Sequence, residues 1–119
     1  MNAPDKRITL TANPLRVRVT LGGQAVAESR ATLTLREGTY KPVHYVPRGD
    51  VDMGLLTPTA HSTHCPWKGD ATYFTINAGG REAVNAVWSY ETPLADVAEI
   101  TGFLAFYPDR VDAIEEGPA

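Results

Sequence analysis

Arg16-Val17-Arg18-Val19-Thr20-Leu21-Gly22-Gly23 decides the fold class. Six residues alternate polar and apolar side chains without a break, which is the period-2 pattern of a half-buried strand. Gly22-Gly23 then supplies two residues that accept positive φ and suit a tight hairpin turn. A returning strand from about Gln24 to Glu28 completes the hairpin. On the amino-terminal side, Ile8 and Leu10 interleaved with Thr9 and Thr11 predict a strand ended by Asn13-Pro14. On the other side, Leu33 and Leu35 alternate with Thr32, Thr34 and Arg36. The first third of the chain reads as an antiparallel meander.

The pattern continues beyond it. Val43 to Val46 predicts a short strand stopped by Pro47. Asp50-Val51-Asp52-Met53 predicts a single helical turn, with Asp50 as its N-cap and Asp52 in the first turn. Residues 59–70 show no period and read as a loop. Ala71 to Ile76 and Glu82 to Tyr90 read as strands around a turn at Asn77 to Gly80. Pro93 to Ile100 is the helix candidate, with Leu94, Val97 and Ala98 on one face and Gly102 as its stop. Phe103 to Tyr107 reads as a last strand. The expected fold is mainly β: a small curved antiparallel sheet or partly open β-barrel with one or two short helices.

Composition sets the outer limits. The chain has 119 residues, the length of a single domain, with 43% hydrophobic and 21% charged residues, so a packed core is expected without disulfide or metal. Residues 1–6 and 115–119 read as frayed ends. The formal net charge is −3 and the eleven Lys and Arg are scattered, which speaks against a nucleic-acid partner. A single cysteine fits a reducing compartment. No apolar stretch approaches the length of a membrane span, so no membrane partner is expected, and a cytoplasmic location follows by exclusion.

The residues that carry chemistry crowd into 44–73. In Cys65-Pro66-Trp67-Lys68-Gly69 a thiol and an ammonium stand three residues apart within a turn. A nearby cation lowers a thiol pKa, so Cys65 and Lys68 are candidate catalytic residues. On that reading Lys68→Met would slow labelling of the thiol while changing stability by only about half a kcal/mol; the plain structural reading is a packed, unreactive cysteine and a solvated lysine. His44, His61, His64 and Cys65 are metal-ligand types, but their spacing lacks the paired donors of a structural zinc site. No zinc and no cofactor are expected, and the histidines read as surface-loop residues. Asp50-x-Asp52 fits a Mg²⁺ pair only on a strand, and the helix-cap reading accounts for both residues. Tyr45, Trp67, Tyr73, Trp88, Tyr90 and Tyr107 suit either a core or a pocket wall.

Five blocks resemble a known family. Tyr45-Val46-Pro47-Arg48-Gly49-Asp50-Val51, Leu55-Leu56, Cys65 to Tyr73, Trp88-Ser89-Tyr90-Glu91-Thr92-Pro93-Leu94 and Phe106 to Val111 follow, in order, the pattern of the family catalogued as domain of unknown function 427. The resemblance implies a small β-rich fold and no established activity. A catalogue label likens the family to nucleotidyltransferases, but the Gly-Ser that normally precedes their Asp-x-Asp is missing here. The family pattern carries onto Arg48, Asp50, Cys65, Lys68, Tyr73, Trp88, Tyr90, Tyr107 and Asp109.

The functional expectation is a polar-aromatic groove that binds a small anionic molecule. Arg48, Asp50, Tyr73, Trp88, Tyr90, Glu91 and Tyr107 would bind it, and Cys65 and Lys68 would carry any reaction. Two alternatives stay open: a non-enzymatic interaction module or homodimer, and a metal-dependent nucleotidyl or phosphoryl transferase using Asp50 and Asp52.

Overall fold

A computed structural model describes residues 8–118. Strand covers 59% of it and helical turns 11%, so the mainly β expectation holds. Ten strands run in the order β1 (Ile8–Ala12), β2 (Arg16–Leu21), β3 (Gln24–Ser29), β4 (Leu33–Glu37), β5 (Val43–Tyr45), β6 (Leu56–Cys65), β7 (Gly69–Ala78), β8 (Arg81–Tyr90), β9 (Ala105–Phe106) and β10 (Ala113–Gly117). They form three antiparallel sheets, β1-β4-β5, β10-β2-β3 and β6-β7-β8-β9, none closed into a barrel. A bridge between Val46 and Leu104 ties β5 to the β9 edge, and one between Ala27 and Val51 covers β3.

The opening hairpin forms as its alternation demands. Val17, Val19 and Leu21 are buried while Arg18 faces solvent, and the turn glycines Gly22 and Gly23 adopt φ of 60° and 77°. The meander does not form. β1 pairs with β4, and β2 takes β10 as its other neighbour. The carboxyl-terminal tail is also more ordered than its composition suggests. Glu115 and Glu116 pair in register with Arg18 and Val17, and Glu116 accepts a 3.0 Å hydrogen bond from the Asn13 side chain. Residues 115–117 are therefore strand, because the open edge of β2 offers them a hydrogen-bonding partner. The expectation for residues 1–6 lies outside the described residues.

Three further corrections concern the middle of the chain. Residues 59–65, read as loop, belong to strand β6. This is an edge strand exposed on most of its length, so nothing imposes an apolar alternation on it, and an edge tolerates Pro58. The Asp50 turn is two separate 3₁₀ turns, Arg48–Asp50 and Met53–Leu55. Asp52, not Asp50, caps the second one by accepting from the Gly54 N–H at 3.2 Å. The helix over 93–100 is a 3₁₀ segment, Ala95–Ile100, broken by non-helical backbone at Val97.

The core divides into two clusters on opposite faces of the β7–β8 hairpin. Phe74, Ile76 and Val87 point toward β2 and β3, joining Val19, Leu21 and Val26. Ala71, Tyr73 and Tyr90 point the other way, joining Leu35, Tyr45, Val97 and Ile100. The period of two in each strand makes this division. It also explains why tyrosines gather on one side only.

Candidate functional site

The tyrosine side of the β6-β7-β8-β9 sheet is the chemically dense surface of the molecule. Register places Ala71 opposite Tyr90 and Tyr73 opposite Trp88, so Tyr73, Trp88 and Tyr90 rise from one face. β6 adds His61, Thr63 and Cys65, two residues apart and on the same side. The His61 ring lies 4.5 Å from that of Tyr73, Thr63 shares a 3.0 Å hydrogen bond with the Tyr73 hydroxyl, and Cys65 packs on the same cluster. Tyr107, just past β9, completes the row. Its hydroxyl shares a 3.0 Å hydrogen bond with that of Tyr73, and its ring lies 4.5 Å from Trp88.

The opposing wall comes from β4 and β5. Tyr45 is almost fully enclosed, and its hydroxyl accepts from the Trp88 indole N–H at 3.1 Å. Glu37, at the end of β4, receives Lys68 Nζ at 2.7 Å, with the two side chains only 16% and 12% exposed. Alternation continues the inward face of Leu33 and Leu35 onto Glu37, so an acidic residue arrives where an apolar one is expected. That phase was the sequence signal for Glu37, which the sequence reading did not single out.

Burial sets the electrostatics. It pushes the Tyr45 phenol well above its usual range, the Trp88 hydrogen bond acting the other way. Tyr90 rises for the same reason, with Tyr45, Cys65, Tyr73 and Glu37 adding to the effect. Tyr107 is pushed up to about 12 by burial first and by its bond to Tyr73 second. All three phenols are thus neutral hydrogen-bonding groups at physiological pH. Tyr90 is 5% exposed, and no protein group among the described residues bonds its hydroxyl; that atom still reaches solvent, the buried polar side-chain atoms without a partner being Thr32 Oγ1 and Ser89 Oγ.

Of the residues singled out from sequence, Cys65, Lys68, Tyr73, Trp88, Tyr90 and Tyr107 converge here. Lys68 is not the solvated side chain of the plain structural reading. Its backbone N–H closes the turn onto the Cys65 carbonyl at 3.2 Å, while its ammonium goes to Glu37. Arg48, Asp50 and Glu91 stand apart. Arg48 lies over Phe74, on the opposite face of β7 from Tyr73, and is ion-paired with Glu91. Asp50 accepts from the Ser29 hydroxyl at 2.6 Å, so it and Asp52 serve different partners. The histidines separate too: His64 pairs with Asp70, and His44 sits between Thr34 and Glu116. Among the described residues no group of three His, Cys, Asp or Glu is placed to hold a metal ion.

Sequence reasoning also missed a small apolar cavity of about 240 Å³ behind Trp88, lined by Val43, His44, Val46, Phe106 and Ile114 among others. Its residues come from four distant segments, so no local motif announces it.

These features define a small antiparallel β domain whose largest sheet presents a buried-tyrosine face. Residues 9–117 match the family model described as Domain of unknown function (DUF427), and the chain belongs to that family. No curated protein matches it. Among the described residues no helix is long and apolar enough to cross a membrane.

Proposed function

We propose that the tyrosine face binds a small organic molecule whose hydrogen-bonding group pairs with the Tyr90 hydroxyl. The observation that carries this reading is that hydroxyl. The hydroxyl is reached by solvent and bonded by no protein group, so a ligand's polar group can take the place of its water. Flat aromatic walls from Tyr73, Trp88 and Tyr107 suit a planar body.

Lys68 and Arg48 each have a carboxylate of their own, so neither adds net positive charge to the face. The Lys68–Glu37 pair and the Cys65 thiol border the same tyrosine cluster and are of acid, base and nucleophile type, which is what a reaction on the bound molecule would use. Metal-dependent nucleotidyl transfer finds less support, because Asp50 and Asp52 are engaged elsewhere.

A thermal-shift screen against nucleotides, sugar phosphates, metals and organic acids tests the reading. A ligand at a hundredfold over its Kd adds about 2.7 kcal/mol to folding stability. Tyr90→Phe removes only an unpaired hydroxyl, so it should fold with unchanged Tm and lose most of that gain. A hit indifferent to Tyr90→Phe binds somewhere else, and the proposal falls.

A further inference from the structure

The Lys68–Glu37 pair leaves the charge of the ligand open, and Arg110 bears on it. Among the described cations without a carboxylate partner, Arg30, Arg36, Lys41 and Arg110, only Arg110 stacks on a ring of the tyrosine face. Its guanidinium lies 4.4 Å from the Tyr107 ring centroid, and its side chain is exposed. Asp109 is its neighbour in the chain but makes no ion pair with it.

The guanidinium is held in place. Nη1 donates to the Asn85 carbonyl at 2.8 Å. Asn85 is the one non-glycine residue with positive φ among those described, at 51°. It is fixed from two other directions as well. Its N–H donates to Thr75 Oγ1 at 3.2 Å, and its Oδ1 accepts from Thr59 Oγ1 at 2.7 Å. A sparsely populated backbone conformation persists where its surroundings over-determine it. Here the carbonyl so fixed orients a cation that has no anion.

We propose that Arg110 reads the charge of the ligand, and that the tyrosine face takes a flat molecule carrying a carboxylate or phosphate. This rests on the ligand-binding reading above. The guanidinium presents five N–H donors in a planar fork that matches an oxyanion, and the bond to Asn85 leaves most of that fork open. Stacking on Tyr107 holds the fork at the rim while the aromatic walls receive the ring.

The test uses the full chain carrying Trp67→Phe, so that Trp88 is the single fluorescent indole. Benzoate and phenyl phosphate are titrated against their neutral counterparts, benzamide and phenol. The expected result is that the anions bind about tenfold more tightly, an advantage that shrinks with salt. Arg110→Gln should abolish that advantage while leaving neutral binding and Tm unchanged, and Arg110→Lys should restore part of it. Whichever anion gains more names the oxyanion. Equal binding of anions and neutral counterparts, or an advantage that survives Arg110→Gln, overturns the role of Arg110 and leaves the binding face standing. If none of the four probes perturbs Trp88 at millimolar concentration, the binding face itself is refuted and this inference goes with it.

Discussion

Lys68 Nζ sits 2.7 Å from Glu37 Oε1, joining the β6–β7 turn to the end of β4 across a largely enclosed gap. Taking either partner away leaves the other charged and half-desolvated, and breaking such a pair costs more than the pair itself contributes. Lys68→Met is expected to destabilise the fold by about 3 kcal/mol. The double variant Lys68→Met, Glu37→Leu should recover most of that. Urea unfolding of the wild type, Lys68→Met, Glu37→Leu and the double variant checks it, and additive losses would show that the two residues do not act as a pair.

The tyrosines give a pH signature. Tyr45, Tyr90 and Tyr107 hold their protons more tightly in the folded chain than in the unfolded one, where phenols titrate near about 10. The folded state therefore binds more protons above that pH, and stability must fall as pH rises past about 10. Absorbance titration near the phenolate band should show Tyr45, Tyr90 and Tyr107 ionising late in the native protein. All five tyrosines should ionise together in urea. Tyr90→Phe should make the alkaline loss of stability shallower.

Two hairpin turns touch through glycine. A Cβ on Gly79 would press into the Gly22 carbonyl, and one on Gly22 would stand 2.6 Å from the Ala78 carbonyl oxygen. Gly80, at φ 77°, has nothing within 4 Å of such a Cβ. Gly80→Ala should cost only the left-handed strain, about 1 kcal/mol. Gly79→Ala adds a backbone clash to the same strain and should cost at least twice as much. Equal losses in denaturant unfolding would mean that the turns separate readily.

Strand β10 predicts the effect of truncation. The strand ends at Gly117, and ending the chain there should leave Tm unchanged. Removing 113–119 strips the β2 edge, uncovers the packing of Ile114 and leaves Asn13 and His44 without Glu116. The expected cost is about 2 kcal/mol or more. If the longer truncation proved neutral, the tail would not be part of the fold.

Wherever one face of a strand is buried, the chain declares it. Arg16–Leu21 and Ala71–Ile76 alternate because one face meets the core, and Gly22-Gly23 marks a turn because positive φ is cheap there. Side-chain chemistry and the family pattern, not periodicity, marked the residues from Cys65 to Tyr107 that share the tyrosine face. The two-residue period fixes their side once the strands exist. Other features had no local signal to read. β6 is polar on its exposed edge, β10 looks like an acidic tail, and the pairing of β1 with β4 depends on which edges remain open. Lys68 looked solvated because its partner, Glu37, lies 31 residues away. The guanidinium of Arg110 meets Tyr107 and Asn85 only after β8 and the segment following β9 come together. Periodicity reports whether a side chain is inside or outside, a property each residue has in its own strand. Pairings of charge with charge, or of phenol with phenol, belong to two distant segments at once, and only the folded chain brings those together.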